Sequence, residues 1–446
     1  MQPLLDDELI MVLQNVDVAD LLTCRLVCKR LGGLALHPDV WRHRRLRCSL
    51  DPLHAPTLRL APCLGEAMLV LRDGSPTPLY TETECAMAGL RVFMSGDGKE
   101  VLAKALLVVR NQLALGRLRS VSLVLDFEEV VDVHELFDLL ASTCELEEIE
   151  ITIRCVMTAR WEPNSLAPPP RPSLKRLHCI RPDTHPFNLF MLKAHAATLE
   201  EFHFSPWGEW LPLPSMPNLR ELEACAFSGM AALATCTKLR KAVLNVFWTD
   251  PCGKDAEEFL RRAHQLQSVS LHYTIRERGD ALDLVLALAG RPGQSRLERL
   301  EIHDEHTECA DYPHLPPLLA ALPSLTALRH LELNAVVEGL AGSITPATAP
   351  ALRTLRLTPV AGWKGVCAHA HLHKRSVQTL MADNPLVVLL MRARHFCLPE
   401  KYPCTTCALG CHQDMCAAQK RLADNSRCSW VNMNQFNIPP NDSPPN

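Results

Sequence analysis

The C-terminal part of the chain carries a cluster of thiols and one imidazole, residue types that bind zinc or perform thiol chemistry. The cluster comprises Cys397, Cys404, Cys407, Cys411, His412, Cys416 and Cys428. A structural zinc site needs four soft ligands that converge in a tetrahedron. Only Cys404 and Cys407 form a Cys-x-x-Cys pair, and no second pair at matching separation follows. The pattern favours free thiols over zinc, and we expect neither a metal nor a cofactor.

Three further imidazoles alternate at His369, His371 and His373 and would share one face of a strand. Incidental metal affinity is the most that this spacing indicates. The chain contains no phosphate-binding glycine loop, no His-Glu-x-x-His motif and no nucleophile elbow. We therefore predict that the protein is not an enzyme.

Carboxylates and imidazoles also return at a fixed place in a short repeat. The repeat consists of an apolar residue, two others, an apolar residue, one other and an apolar residue. Its ten copies begin at Leu118, Leu146, Leu174, Leu199, Leu219, Leu239, Leu266, Leu297, Leu328 and Leu352. They recur at intervals of 20 to 31 residues, in or near the range of leucine-rich repeats.

Each copy predicts a short strand whose apolar residues face a shared core, because a single strand cannot bury that face alone. The residue between the last two apolar positions, and the one after them, would then point away from the core. The candidate target-binding residues at these places are Glu150, His178, His203, Glu223, His272, Glu301, His303, Glu332 and Arg356. The alternative interpretation is a merely solvated sheet face.

This part of the chain resembles the leucine-rich repeat solenoids, which implies parallel strands on a concave face and helices or loops on a convex face. Helical patterns over 133–140 and 255–262 fit the convex layer. The two 20-residue intervals near Pro212 and Pro217 leave room only for extended or one-turn connections. Residues 49–117 are predicted to be an irregular linker or a degenerate first repeat, with a strand near 90–94 and a helix near 101–115.

The N-terminal residues predict a compact helical hairpin. Apolar residues at helical spacing follow three acidic residues; the apolar set is Leu9, Ile10, Val12, Leu13 and Val16. Asp17 stands three residues before Asp20, which is typical of a helix N-cap. A third apolar cluster is expected to end at Pro38. We interpret the basic run 42–47 as the solvated edge of a helix rather than a phosphate-binding patch.

The same residues resemble the F-box, a three-helix module that docks a Skp-type adaptor in cullin-based ubiquitin ligases. The resemblance is carried by Leu5-Asp6-Asp7-Glu8-Leu9, Asp20-Leu21, Val27-Cys28-Lys29 and Trp41. It implies adaptor contacts by the apolar residues Leu5, Leu9, Leu13, Leu21, Leu26, Val27 and Trp41, with Glu8 and Lys29 at the rim. Two positions differ from the family pattern: Asp6 stands where Pro is usual, and Leu31 where Trp is often found.

Composition narrows the function classes. The net charge of −4 argues against a protein that coats nucleic acid. The 19 cysteines are scattered through apolar positions and are expected to be thiols of a reducing compartment. No stretch reads as a signal peptide or a membrane span. We expect a cytoplasmic or nuclear protein that contacts neither nucleic acid nor membrane.

These patterns together predict an α/β protein with five segments: an F-box at 1–48, the linker or degenerate repeat at 49–117, a leucine-rich repeat solenoid at 118–395, a Cys-rich segment at 396–436 and a disordered tail at 437–446. The combination resembles the F-box and leucine-rich repeat proteins. It implies a substrate receptor of an SCF-type ubiquitin ligase whose partners are a Skp-type adaptor, and through it a cullin and a RING protein, and an unknown protein target destined for proteasomal degradation. The alternative is a non-ligase scaffold in which the F-box-like helices are only a cap.

Overall fold

The structure, a computed structural model, describes residues 4–46, 52–75, 77–128, 130–154, 161–162, 171–179, 185–204, 213–246, 253–274, 284–289, 295–304, 312–335, 339–358, 374–392 and 430–432. The chain divides into two compact units. The first comprises residues 1–206 and 213–219, and the second residues 207–212 and 220–446.

The first unit opens with four consecutive helices. These are α1 (Asp6–Gln14), α2 (Val18–Cys24), α3 (Lys29–Ala35) and the single turn α4 (Pro38–Trp41). The predicted N-cap is confirmed, because the Asp20 amide donates to Asp17 Oδ1 at 2.8 Å. The third apolar cluster was expected to end at Pro38, and this was wrong, because Val40 and Trp41 after it are buried. Proline lacks an amide hydrogen and has a helix-compatible φ, so it suits the first position of a helix, and here it begins α4.

A parallel sheet follows in the same unit. Its strands are β1 (Arg45–Leu46), β2 (Cys63–Leu71), β3 (Ala86–Ser95), β4 (Ser120–Asp126), β5 (Glu148–Ile153), β6 (Arg176–Cys179) and β7 (Glu201–Phe204). Each pairs in parallel with the next. The helices between them are α5 (His54–Leu60), α6 (Thr77–Thr81), α7 (Gly98–Ala114), α8 (His134–Ala141) and α9 (His185–His195). The strand and helix predicted within 49–117 coincide with β3 and α7, so the stack of strands begins well before residue 118.

The second unit repeats this alternation. Its strands are β8 (Glu221–Cys225), β9 (Lys241–Val246), β10 (Ser268–Tyr273), β11 (Arg299–Asp304), β12 (His330–Leu333), β13 (Thr354–Leu357), β14 (Val388–Arg392) and β15 (Trp430–Asn432). The strands from β8 to β14 pair in parallel, and β15 pairs with β14 in the antiparallel direction.

Helices of the second unit lie between these strands. They are α10 (Gly253–Arg262), α11 (Leu284–Ala289), α12 (Leu315–Ala321), α13 (Leu340–Ser343) and α14 (Arg375–Asp383), with 3-10 helices at Met230–Thr235 and Leu322–Ser324. The second of the two 20-residue intervals therefore holds only a short 3-10 helix between β8 and β9, as its length predicted. The first of them lies partly outside the described residues.

The ten sequence repeats coincide with the sheet core. All three apolar residues of every repeat are buried. Their positions are aligned from strand to strand: Val121 is opposite Ile149, and Ile149 is opposite Leu177. In the second unit, Val269 is likewise opposite Leu300. This register buries one face of each sheet in its own unit and leaves the intervening polar residues on the other face, which we call the polar face.

Candidate functional site

The start of α1 is held by a charged contact with α3. The Arg30 guanidinium donates to Asp6 Oδ1 at 2.7 Å and to the Leu4 carbonyl at 2.6 Å. The Leu5 amide donates to Glu8 Oε2 at 2.9 Å, which satisfies a backbone group at the helix entry. Asp6, which stands where the family usually has Pro, is therefore used to tie two helices together.

Three of the predicted adaptor contacts lie in the core of the helices instead. Leu13, Leu21 and Trp41 are at most 3 % exposed. The Trp41 indole N–H donates to the Ala35 carbonyl at 2.7 Å. Packing within the chain already buries these side chains, so they stabilise the helices, and their role as direct adaptor contacts stays a prediction.

Arg44 stabilises the same core through hydrogen bonds to two backbone carbonyls. Its guanidinium donates to the Leu13 carbonyl at 2.7 Å and to the Val40 carbonyl at 2.8 Å. It also lies 5.6 Å from the centre of the Trp41 ring, within the range of a cation–π contact. Burial lowers the pKa of Arg44, and Asp17 partly offsets that effect. For Arg44, the interpretation of 42–47 as a solvated helix edge is wrong, because these contacts draw the side chain inward.

The remaining predicted contacts lie at the surface. Leu5, Leu26 and Val27 are 68 %, 81 % and 67 % exposed, Leu9 is half-buried, and Glu8 and Lys29 are exposed. Sequence reasoning missed three other exposed apolar residues: Leu4, Met11 and Val12. Met11 and Val12 directly precede the buried Leu13 on α1, and Val12 belongs to the same apolar pattern as Leu13, so the sequence carried no signal that separates them. We call Leu4, Leu5, Met11, Val12, Leu26 and Val27 the docking surface.

Comparison with known families identifies this region: residues 6–47 match the F-box-like family model. The chain carries an F-box-like domain. Among curated proteins, none matches the chain at a significant level. F-box-like domains generally bind Skp-type adaptors and are typically non-catalytic. The four helices α1 to α4 and the first residues of the sheet form this F-box-like domain.

After the F-box-like domain in chain order, the polar face of the first unit carries three of the predicted target-binding residues. Glu150, His178 and His203 are successive neighbours across β5, β6 and β7. Ser122 donates its hydroxyl to Glu150 Oε2 at 2.6 Å. The rings of His178 and His203 stack with centroids 3.8 Å apart and planes within 5°. The structure thus brings these three residues together in one row, and it sets two imidazoles face to face.

The polar face of the second unit carries the other six: Glu223, His272, Glu301, His303, Glu332 and Arg356. Glu301 and Glu332 are opposite each other, and Arg356 is opposite Glu332 and 3.4 Å from its Oε2. The rings of His272 and His303 lie in the adjacent row, with centroids 4.8 Å apart. Each predicted residue therefore lies on the polar face of its own unit.

The pKa values of two neighbouring carboxylates in the second unit, Glu301 and Glu332, are shifted in opposite directions. Burial alone would raise the pKa of Glu301, but hydrogen bonds from Ser270 at 2.9 Å and Arg299 at 2.6 Å outweigh it, so the pKa is lowered. Burial, together with the charge of Glu301, raises the pKa of Glu332 despite Arg356. Of these two carboxylates, Glu332 is therefore the one that is protonated at the higher pH.

Sequence reasoning missed a further row of mostly charged residues on each polar face. In the first unit the row contains Arg45, Glu66, Ser120, Glu148, Arg176 and Glu201. In the second unit it contains Glu221, Lys241, Ser268, Arg299 and His330. Because strand side chains alternate, the residue two positions before each predicted target-binding residue lies on the same face. That alternation could have revealed this row from the sequence.

The predicted thiol and imidazole chemistry belongs to the C-terminal part of the chain. The cysteine cluster at 397–428 and the imidazoles at 369–373 lie outside the described residues. Within the described residues, no group of three or more His, Cys, Asp or Glu side chains could hold a metal ion. No helix in that same part of the chain combines the length and apolarity needed to cross a bilayer.

Proposed function

We propose that the protein is the substrate-recognition subunit of an SCF-type ubiquitin ligase. The docking surface binds a Skp-type adaptor, which connects the chain to a cullin and a RING protein. The polar faces, built as leucine-rich repeats, bind a protein target for ubiquitination and degradation in the cytoplasm or nucleus. The chain contributes no catalytic group, since holding the target near the ubiquitin thioester raises its effective concentration.

The distribution of exposed apolar side chains carries this proposal. Eleven large apolar side chains are exposed among the described residues, and six of them, the docking surface, lie between residues 4 and 27. Clusters of exposed apolar residues mark interaction sites, whereas scattered ones are normal. Burying one such side chain contributes about 1.5–3 kcal/mol, so a partner that covers several of them gains substantial affinity.

Co-purification of the intact chain with a Skp-type adaptor tests the proposal. We expect the unmodified chain to capture the adaptor, and Leu26→Glu combined with Val27→Glu to abolish capture. Both side chains are more than 60 % exposed, so the substitutions should leave the fold intact. Leu107→Glu is the matched control, because Leu107 is 49 % exposed but lies on α7 outside the F-box-like domain. The proposal fails if the unmodified chain does not capture the adaptor under conditions in which another F-box protein does.

A second candidate, a scaffold that binds a partner without ligase activity, is favoured by one observation. The F-box-like domain continues directly into the sheet, because Arg45 and Leu46 pair with Glu66 and Ala67 of β2. Such a domain could serve as a cap for the first strands. The half-life of the bound partner separates the two candidates: a receptor lacking residues 1–44 lengthens it, whereas a scaffold lacking them leaves it unchanged.

A further inference from the structure

A polar cleft lies where the F-box-like domain meets the first strands. Its volume is about 410 Å³. Arg42 and Arg45 line it from the domain, while Arg91, Glu148 and Glu150 line it from the strands. The cleft is separate from the docking surface, and of its lining residues only Glu150 was predicted to bind a target.

A missing side chain helps to open this cleft. Gly89 stands in the row of mostly charged residues, between Glu66 and Ser120. A Cβ at Gly89 would meet its nearest atoms at 3.4 to 3.7 Å, an ordinary contact distance. A Cβ at Gly65 would instead lie 2.9 Å from the Arg42 carbonyl oxygen. The fold therefore requires glycine at position 65 but not at 89, and a glycine within a strand often marks the close approach of a ligand.

Two arginines of the cleft have N–H donors for an anionic group. Arg45 Nε lies 3.3 Å from Glu66 Oε2, and Arg91 Nη2 lies 3.7 Å from Glu150 Oε2. These are long contacts for guanidinium groups that each carry five N–H donors, and both side chains are at least 44 % exposed. Arg45 and Arg91 therefore keep donors available.

The carboxylates, in contrast, already accept shorter bonds. Ser122 donates to Glu150 at 2.6 Å, and Arg176 and Ser120 donate to Glu148 at 2.6 Å and 3.1 Å. Three glutamates line the cleft, so a phosphate dianion would be repelled more strongly than a single carboxylate. A carboxylate is therefore the better match.

An apolar strip lies beside the cleft on the same face. Val70, Phe93 and Val124 are opposite one another on β2, β3 and β4. Phe93 is 36 % exposed, and it is the only aromatic residue among the exposed large apolar side chains of the described residues. Arg91 and Phe93 are two residues apart on β3, which places them about 6–7 Å apart along the strand. An extended peptide presents alternate side chains at the same spacing.

We propose that this cleft binds an extended segment of the target in which an Asp or Glu stands two residues from a bulky apolar residue. The carboxylate enters above Gly89 and accepts from Arg45 and Arg91, and the apolar side chain covers Phe93. The inference rests on the proposed role of the polar face in target binding.

A peptide array probed with the purified full-length chain tests this inference. Ten-residue peptides contain Glu-x-Leu, Lys-x-Leu, phosphoserine-x-Leu or Glu-x-Ser, with the other positions degenerate. We expect Glu-x-Leu peptides to be retained about tenfold more than each of the others. Arg91→Glu and Gly89→Val should remove the preference, while Arg110→Glu should keep it, because Arg110 on α7 pairs with Glu135 away from the cleft.

Three outcomes overturn the inference: preference for the phosphoserine peptides, preference for the lysine peptides, or a preference for Glu-x-Leu that survives Arg91→Glu. Adaptor capture is measured on the same preparations. Arg91→Glu should capture the adaptor normally. Loss of peptide preference with intact capture would therefore show that the substitution affects the cleft and not the docking surface. If the unmodified chain keeps its peptide preference but does not capture the adaptor, the proposed ligase role fails while the cleft proposal stands.

Discussion

Arg30 and Asp6 form an ion pair at 2.7 Å that joins α3 to the start of α1, and the same guanidinium binds the Leu4 carbonyl. Both side chains are about half exposed, so the pair itself contributes only about 0.2–1 kcal/mol. Its position matters more than its energy, because it orders the helix start next to Leu4 and Leu5 of the docking surface.

We therefore expect Arg30→Met to loosen the start of α1 while changing global stability little. Amide hydrogen exchange of the full chain should accelerate at Leu9, whose amide donates to the Leu5 carbonyl. Arg25→Met is the control on the same domain. Unchanged exchange at Leu9 in Arg30→Met would show that the ion pair does not order the helix.

Trp41 and Val27 should separate stability from docking. Trp41 is fully buried, so Trp41→Ala should cost about 3–5 kcal/mol and unfold the F-box-like domain. Val27→Asp should leave the thermal transition unchanged and still weaken adaptor capture, because Val27 is 67 % exposed. Circular dichroism melts and adaptor pull-downs on both variants measure the two effects. A strong loss of stability in Val27→Asp would contradict the assignment of Val27 to the docking surface.

His195 should make the first unit sensitive to acid. Burial lowers the pKa of His195 to about 4, and its Nδ1 accepts from the amides of Ser173 and Leu174. The unfolded chain binds a proton near the usual pKa of about 6.5, so stability is complete above that pH and declines as the pH falls toward 4. The full loss is on the order of 3 kcal/mol.

Denaturant unfolding of the intact chain at pH 7.5 and pH 5.0 measures this effect. His195→Gln keeps an acceptor near the two amides but cannot titrate, so its loss of stability between the two pH values should be smaller than in the unmodified chain. Equal losses in the two proteins would show that other groups cause the acid sensitivity.

The charged form of Glu332 should lower the stability of the second unit while it serves target binding. Its pKa is raised by burial and by Glu301, which means that its charged form is unfavourable in the folded state. Such a group stabilises the fold below its unfolded pKa, and this contribution is lost as the pH rises. Glu332→Gln should therefore raise the free energy of unfolding at neutral pH by roughly 0.2–1 kcal/mol, the magnitude of a like-charge pair across strands.

The same substitution should weaken target binding if Glu332 faces the partner. Glu301→Gln is the informative comparison, because the pKa of Glu301 is lowered and its charge is favourable, so that variant should be less stable. Unfolding curves at pH 7 rank the two variants. The reverse ranking would contradict the opposite pKa shifts of Glu301 and Glu332.

Local patterns in the sequence were sufficient for much of this protein. The apolar triplets predicted the strands and their register, because strand side chains alternate and each strand must bury the same positions as its neighbour. The acidic start of α1 and the Asp17 cap predicted two helices. The motif around Leu5, Val27 and Trp41 indicated the F-box-like domain, which the match at residues 6–47 supports.

The sequence could not distinguish the apolar residues that face inward from those that face a partner. Leu13 and Val12 are adjacent and equally apolar, yet one is buried and the other is 55 % exposed. Their difference depends on where α3 and α4 pack against α1, which is a property of the assembled helices.

Local periodicity and short spacings were enough to predict the order of the elements, the buried positions of the repeats and the F-box-like character of the first helices. The packing of the folded chain was needed to show that Arg30 reaches Asp6, that Leu13, Leu21 and Trp41 are core residues, and that Arg45, Arg91 and Gly89 share one cleft. Arg30 is far from Asp6 in sequence, and Arg45 is far from Gly89 and Arg91, so packing between distant segments brings these residues together.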